Sequence, residues 1–279
     1  MQETLSITRR ILTHPSNRGA ERFKRLIAFV GWQLWKRSVR QPLTLRLFNG
    51  FRFRAYPRCH ISSSAIYFRI PDFGELSFLR RNLHNGILID VGANVGLFTL
   101  SLADKVRHAI LFEPNTLAVT RAVENLRLNA LNFEIHTMAL SDQEGEVFFE
   151  DQGDVSTTNR VLVDHQQSAF PVHKVPCTTL DTFLSTHTPL VNDIDVIKID
   201  VEGHENAVLQ GMRDTLTRKR PGIVMFEYLQ RTNFQITRMI FESVGYKTYF
   251  LNNEFKPEAL LGQPSPLQNL FALPVEAEL

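Results

Sequence analysis

Residues 87–100 read ILIDVGANVGLFTL, and this stretch decides the fold of the chain. The uninterrupted apolar run at residues 87–89 predicts a buried parallel strand, and Asp90 marks its carboxyl end. Gly92 and Gly96 then predict a turn in which the backbone can approach a ligand closely. Apolar side chains recur at helical spacing after the turn. The stretch therefore predicts a strand, a cofactor-binding turn and a helix.

The glycines of this turn argue against a bound pyrophosphate. The pattern G-A-N-V-G at residues 92–96 has two of the three glycines of the dinucleotide fingerprint, which disfavours a nicotinamide-dependent oxidoreductase. A second apolar run, at residues 109–112, ends at Glu113, about twenty residues further on, where a carboxylate could bind both hydroxyls of a ribose. The ligand is therefore predicted to contain a nucleoside.

The same arrangement occurs twice more along the chain. Residues 195–199 lead into Asp200, and residues 222–226 lead into Glu227. Because the carboxyl ends of parallel strands line one crevice, the acids that end these four runs should converge on one site. A cationic ligand that carries a ribose would suit such a site.

Six segments of the chain resemble the FkbM-type methyltransferases, which use S-adenosylmethionine. They are IDVGANVGLFTL (89–100), FEPN (112–115), ALSDQEGEVFF (139–149), TLDTFL (179–184), IKIDVEGHENAVLQGM (197–212) and FEY (226–228). The resemblance covers about residues 72–272. It implies an α/β fold, namely the Rossmann-like seven-stranded sheet of class I methyltransferases, mainly parallel. Family members methylate hydroxyls on very different molecules, so the resemblance does not identify the acceptor.

The resemblance also implies roles for individual residues. The cofactor-binding residues would be Asp90, Gly92, Ala93, Asn94, Gly96, Glu113, Pro114, Asn115, Asp142 and Asp200. The catalytic candidates are Asp200, His204 and Glu227, because each lies at or just beyond a strand end and could remove a proton from an acceptor hydroxyl.

Several of these residues have a structural interpretation as well. Glu113 could be an acid that is favoured at a helix N-terminus, and Asp142 could belong to an ordinary turn. His204 could begin a helix without exchanging protons. Glu227 could be a buried acid paired with a base such as Lys198 or Arg231.

Three residues that could bind a metal ion follow Asp200 closely in the sequence. Glu202, His204 and Glu205 are residue types that could bind Mg²⁺ or Mn²⁺. Their spacing matches no known metal site, and Glu205 is as well explained as an acid in the first turn of a helix. No metal is predicted.

Apolar periodicity divides the chain into an extension and a domain. Residues 1–70 are predicted to form a basic helical and hairpin extension, and residues 71–279 the methyltransferase domain. Asn49-Gly50 predicts a hairpin in the extension. In the domain, strands are predicted at 87–91, 109–113, 133–139, 146–150, 195–199, 222–228, 246–251 and 269–273, and helices at 75–83, 96–105, 116–129, 179–184, 204–217 and 234–244. Residues 151–175 lack periodicity and are predicted to be a long loop.

The composition is that of one globular domain with an appendage. A chain of 279 residues that is 43% hydrophobic can bury a sizeable core. Cys59 and Cys177 are too few for a disulfide framework and lack metal-ligand spacing, which favours a reducing, cytoplasmic location. Residues 1–24 show no secretory signal pattern.

The basic residues are concentrated near the N-terminus. The first 60 residues carry a net charge of +11, whereas the whole chain carries +2. A basic helix predicted at residues 21–40 would place four apolar side chains on one face. These are Phe23, Ile27, Val30 and Leu34. Either this face lies on an anionic membrane surface, which would make the protein membrane-peripheral, or it packs on the domain.

The expected activity is methyl transfer from S-adenosylmethionine to a hydroxyl group of a small molecule, sugar or glycan. The alternative is a non-catalytic protein that binds an anionic surface or nucleic acid on a nucleoside-binding scaffold, because fold alone does not establish catalysis. The acid at each strand end favours retained ligand binding, and no nucleic-acid partner is expected.

Overall fold

The computed structural model describes residues 2–153, 159–162, 168–186, 192–230, 232–265 and 268–277. Within these residues the α-helices are α1 (Gln2–Thr13), α2 (Ala20–Ser38), α3 (His60–Tyr67), α4 (Phe73–Asn82), α5 (Leu97–Leu102), α6 (Thr116–Arg127), α7 (Leu180–Thr186), α8 (Glu205–Gln210) and α9 (Phe234–Ser243). The strands are β1 (Leu43–Arg46), β2 (Arg52–Ala55), β3 (Ile87–Val91), β4 (His108–Phe112), β5 (Phe133–His136), β6 (Ala139–Leu140), β7 (Gly145–Glu150), β8 (Arg160–Leu162), β9 (Val172–Thr178), β10 (Ile194–Ile199), β11 (Ile223–Tyr228), β12 (Tyr246–Leu251), β13 (Pro257–Ala259) and β14 (Gln268–Pro274). A π-helical turn at Thr215–Lys219 follows α8.

An eight-stranded sheet forms the centre of the fold, in the order β13-β12-β14-β11-β10-β3-β4-β5. Strands β11, β10, β3, β4 and β5 run parallel. Strand β14 is antiparallel to both β11 and β12. The predicted α/β class with a mainly parallel sheet is confirmed, but the sheet has eight strands in place of seven. The additional strand, β13, has three residues and lies at the edge, where its Pro257 is tolerated because no further strand pairs with it.

Two hydrophobic layers cover the sheet. Successive residues of β3 point to opposite faces, so Leu88 packs with the helices of one layer and Ile87 and Ile89 pack with the other. The first layer contains side chains from α1 to α6, and the second contains side chains from α7 to α9. Parallel strands that are buried on both faces explain why β3 and β4 are uninterrupted apolar runs in the sequence.

The N-terminal extension packs into the first of these layers. Ile11, Phe29 and Trp32 are buried in the same cluster as Leu88 of the central sheet. The predicted hairpin is present as β1 and β2, with a loop at residues 47–51 that is longer than a two-residue turn. Helices α1 and α3 were not predicted. The division of the chain at residue 70 stays a prediction.

The prediction of one long loop at residues 151–175 is wrong at β8 and at the start of β9, whereas residues 154–158 and 163–167 lie outside the described residues. Strand β9 begins at Val172, and it joins β6, β7 and β8 in a second sheet of order β6-β9-β7-β8. The predicted strand at 133–139 is also divided, because β5 joins the central sheet and β6 joins this smaller one. Only Val175 and Cys177 of β9 are buried with the apolar face of the small sheet, so the strand has little hydrophobic pattern to reveal it.

Candidate functional site

A cavity of about 620 Å³ lies at the carboxyl ends of the central parallel strands. It is of the size that small-molecule sites usually have. Most of the predicted site residues line it. They are Gly92, Ala93, Asn94, Glu113, Pro114, Asn115, Asp200, His204 and Glu227. The expected convergence of strand-end residues on one crevice is therefore present. Asp90, Gly96 and Asp142 do not line the cavity.

The turn after β3 is compact, and its backbone N–H groups form hydrogen bonds within the protein. Gly92 and Ala93 donate their N–H groups to the carbonyl of Phe112, and Gly96 donates to Ala93. The N–H of Asn94 donates to Oε2 of Glu113 at 2.9 Å. These four N–H groups are therefore engaged within the protein, and they leave no cradle of free donors such as a pyrophosphate requires.

Gly92 is required where β3 and β10 approach each other. Its φ is +76°, and a Cβ atom built there would lie 1.9 Å from the carbonyl oxygen of Asp200. Gly96 has the same φ of +76°, but the nearest atom to its Cβ would be 3.5 Å away. The two glycines therefore separate the effect of backbone conformation from the effect of a steric clash.

We expect Gly96→Ala to lower the free energy of unfolding by about 1–2 kcal/mol, the cost of left-handed backbone for a residue with a Cβ. Gly92→Ala should cost clearly more, because the backbone carbonyl of Asp200 must also move. Urea denaturation of both variants measures the difference. Equal losses would mean that the β3 turn accommodates the methyl group without strain.

Glu113 connects the turn to the end of β4. Its Oε1 accepts the N–H of Asn115 at 2.8 Å, while its Oε2 accepts that of Asn94. Burial raises the pKa of Glu113 to about 7, and these two hydrogen bonds oppose the shift. Each oxygen retains a lone pair, so the carboxylate can organise the turn and still accept a hydroxyl from a ligand.

The sequence analysis named Lys198 only as a possible partner of Glu227, and it missed the central position that this lysine has in the site. It is 5% exposed in β10, and its Nζ donates to the carbonyl of Gly92 at 2.7 Å. The same Nζ lies 3.3 Å from carboxylate oxygens of both Asp90 and Asp200. Burial alone would lower the pKa of Lys198, but the two carboxylates outweigh it and hold the pKa above its usual range. A lysine inside the otherwise apolar run DVIKI was the signal for such a buried ion pair.

Asp90 and Asp142 lie outside the cavity lining, where they make hydrogen bonds to other side chains. The Oδ2 atom of Asp90, which is fully buried, accepts the hydroxyl of Thr99 at 2.7 Å. Asp142 accepts the hydroxyl of Ser141, whose Oγ also lies 2.9 Å from Nε2 of His204. Burial lowers the pKa of His204, so its imidazole is neutral at pH 7. Neutral imidazole can accept a proton, but this nitrogen already contacts Ser141.

Glu227 is the carboxylate best suited to proton transfer. It ends β11 at the cavity wall, and within the described residues its Oε2 is buried without a hydrogen-bond partner. Burial, followed by the carboxylates of Asp200, Glu202 and Glu205, raises the pKa of Glu227 to about 8. A carboxylate with a pKa near physiological pH is effective as a general base.

The acids around Glu227 form a cation-binding cluster. Carboxylate oxygens of Asp200, Glu202 and Glu227 lie within 4.8 Å of one another. Such a cluster could hold a divalent ion or the positive charge of an organic ligand. Glu205 was considered with Glu202 and His204 as a possible metal ligand, but both of its oxygens make hydrogen bonds within the protein. Its Oε1 accepts the N–H of Gly203 at 3.0 Å, and its Oε2 accepts the hydroxyl of Thr232.

The opposite wall of the cavity comes from the N-terminal extension and neighbouring loops. Residues of α1 and α3 contribute Arg10, His60 and Tyr67. Asp72, which is exposed, also lines this wall. These residues were not predicted, because they belong to no recognisable sequence motif. Only the packing of α1 and α3 brings them to the site.

A family model agrees with the motifs and with this geometry. The model of the methyltransferase FkbM domain matches residues 90–248, which run from the end of β3 into β12. The chain belongs to the FkbM methyltransferase family. This match confirms the predicted family and, with it, S-adenosylmethionine as the methyl donor. A search among curated proteins found no match.

Solved structures resemble this FkbM-family chain only distantly. The tRNA (uracil-54, C5)-methyltransferase of Pyrococcus abyssi has a TM-score of 0.46 and 13% identity over 83% of this chain and 44% of its own. A SAM-dependent methyltransferase of Agrobacterium tumefaciens has a TM-score of 0.44 and 12% identity over 85% and 71%. The 16S rRNA N2 G1207 methyltransferase of T. thermophilus has a TM-score of 0.43 and 14% identity over 84% and 50%. Likenesses at this level do not bear on the acceptor of this FkbM-family member.

Proposed function

We propose that this methyltransferase acts on a hydroxyl group of a small molecule, sugar or glycan. The observation that carries the proposal is Glu227, a cavity-lining carboxylate with a buried oxygen that no described group engages and a pKa of about 8. An alcohol is too weakly acidic to ionise before it reacts, so a base that accepts its proton during transfer is useful. An amine acceptor would have less need of such a carboxylate.

The residues of the cavity fit S-adenosylmethionine. Gly92 has no space for a Cβ atom, which keeps the turn compact, and the four engaged N–H groups suit a ligand without phosphates. Asp200, the exposed member of the acidic cluster, offers negative charge to a ligand that carries a sulfonium and an amino group. Glu113 offers carboxylate oxygens to the ribose. When bound, the cofactor supplies an electrophilic methyl group.

The protein would contribute alignment and charge more than covalent chemistry. Asp200, with its side chain 43% exposed, can face both the cofactor and the acceptor, while Lys198 holds it in position. Glu227 takes the hydroxyl proton. The wall formed by α1 and α3 excludes water and contacts the acceptor.

Methyl-labelled S-adenosylmethionine and cell extracts test the proposal. Incubation with the full chain should transfer the label to a molecule that mass spectrometry identifies as a methyl ether or ester. Label found only on nitrogen would overturn the proposed O-methylation. Binding of S-adenosylhomocysteine without any transfer would favour the non-catalytic alternative.

Glu113→Ala should weaken the binding of S-adenosylhomocysteine about tenfold or more. The variant removes hydrogen bonds to a charged acceptor, which contribute about 1.5–3 kcal/mol, and it releases the N–H groups of the turn. Isothermal titration calorimetry measures the change, with circular dichroism as the check on folding. Glu144→Ala gives the comparison, because Glu144 is an exposed acid outside the cavity lining and should alter affinity little. Unchanged affinity in Glu113→Ala would remove Glu113 from the cofactor site.

A further inference from the structure

Helix α2 exposes an apolar stripe that nothing in the described fold covers. The stripe consists of Phe23, Ile27, Val30 and Leu34, which are 69%, 73%, 56% and 60% exposed. Their spacing of four, three and four residues keeps them on one face of the helix. Contiguous exposed apolar side chains of this size mark a surface that binds something.

The packing of α2 on the rest of the protein uses its other face. Phe29 and Trp32 are 6% and 3% exposed, and Nε1 of Trp32 donates to Oγ of Ser63 in α3 at 3.0 Å. The amide of Gln33 donates to the hydroxyl of Tyr67 at 2.8 Å. The interpretation that the apolar stripe packs on the domain is therefore wrong, because other residues of α2 fill that role.

The charges around the apolar stripe are mainly positive. Helix α2 has five basic residues and one acidic residue, Glu21. Among the basic residues, Arg22, Lys24 and Arg37 are exposed. A second copy of α2 would bring like charges together, which disfavours self-association through this face, whereas an anionic surface would be attracted. Amphipathic helices with apolar and basic faces commonly lie in the headgroup region of a bilayer.

The apolar stripe borders a cavity that shares wall residues with the candidate active site. A second cavity, of about 570 Å³, is lined by Val30 and Leu34 of the stripe. It shares four wall residues with the first cavity. They are Ile7, His60, Ser63 and Tyr67. The two cavities are therefore adjacent, and the apolar stripe lies near the candidate active site.

We propose that α2 docks the enzyme on an anionic phospholipid bilayer, with the apolar stripe in the headgroup region and the flanking basic side chains on the lipid charges. Contact is peripheral, since none of the helices in the described ranges is long and apolar enough to cross a membrane. The occupant of this face is thus a lipid surface of negative charge.

Vesicle sedimentation of the full chain tests the proposal. Vesicles of phosphatidylcholine with about 30% phosphatidylglycerol should retain the protein at low salt, and pure phosphatidylcholine should retain it much less. Raising NaCl to about 0.5 M should weaken the contact, because exposed charges are then screened within a few ångströms. Equal retention on both vesicles at low salt would overturn the proposal.

Variants distinguish membrane binding by the apolar stripe from nonspecific binding by other exposed apolar side chains. Phe23→Ser with Ile27→Ser should reduce partition to anionic vesicles about tenfold or more, because two large apolar side chains no longer enter the headgroup region. Met239→Ser with Leu261→Ser is the matched control, since these side chains are 69% and 85% exposed elsewhere and should not matter. Lys24→Gln with Arg37→Gln should reduce partition about fivefold for each charge.

Two results would count against membrane docking. If the control pair reduced partition as much as the stripe pair, retention would be nonspecific. If the wild type formed a dimer in analytical ultracentrifugation that Phe23→Ser with Ile27→Ser abolished, and bound no vesicles, the face would be a contact between copies of this chain. Affinity for S-adenosylhomocysteine should be unchanged in every variant, so this test is independent of the proposed O-methylation.

Discussion

Glu227→Gln should lower turnover by roughly a hundredfold or more while affinity for S-adenosylhomocysteine stays nearly unchanged. Glutamine keeps the size and polarity of the side chain but cannot accept the hydroxyl proton. Single-turnover methyl transfer on the acceptor found in the extract screen measures the effect. Glu227 faces the cavity without a described partner for Oε2, so its loss should affect chemistry more than folding.

The pH profile gives an independent signature of the same group. A base must be deprotonated to act, so the rate should rise with pH through the Glu227 pKa of about 8 and then level off. In Glu227→Gln this rise should be absent. Glu202→Gln is the matched control: it removes one of the charges that raise the pKa of Glu227, so turnover should persist and the midpoint should move to lower pH.

His204→Ala distinguishes the two candidate bases. The imidazole nitrogen of His204 contacts Ser141, so we expect a smaller loss of rate than in Glu227→Gln. If both variants kept near-parental rates from about pH 6 to 9, no base would be needed, and alignment of the bound hydroxyl would carry the catalysis.

Lys198→Met should lower the free energy of unfolding by about 3–5 kcal/mol, because it leaves a buried carboxylate without its cation. Asp90 carries this cost, since it is fully buried, whereas the side chain of Asp200 is 43% exposed and can be hydrated. Urea denaturation at neutral pH measures the loss.

The double variant Lys198→Met with Asp90→Asn is the control for this mechanism. It removes both charges and keeps a polar group beside Thr99, so it should recover a large part of the lost stability. If the double variant were as unstable as Lys198→Met alone, the hydrogen bond from Lys198 to the carbonyl of Gly92 would be the main contribution.

The central sheet could be predicted because its inner strands are buried on both faces. Strands β3, β4, β10 and β11 begin and end within a residue or two of their predicted bounds. Helix α6 begins as expected, with Asn115 capping it by accepting the N–H of Ala118 at 2.9 Å. Helix α3 could not be predicted, because its sequence HISSSAIY has three serines and Cys59 at its N-cap makes no side-chain capping bond.

The site was predicted to the level of strand ends but not of side-chain direction. Of the four acids that end apolar runs, Glu113, Asp200 and Glu227 line the cavity, whereas Asp90 turns away toward Lys198 and Thr99. The spacing of a strand indicates which face a residue occupies, but it does not indicate which neighbour that residue meets there. The roles of these residues in binding and catalysis stay predictions.

The position of β14 affects when this protein can finish folding. Among the described residues, β12 and β13 reach the central sheet only through β14, which lies between β12 and β11. Strand β14 (Gln268–Pro274) follows both β12 and β13 in the chain. During synthesis, the β12–β13 hairpin therefore cannot join the central sheet until β14 emerges, and β11 presents an open edge until then. A fragment cut to the family-matched residues 90–248 would keep that open edge permanently and should aggregate.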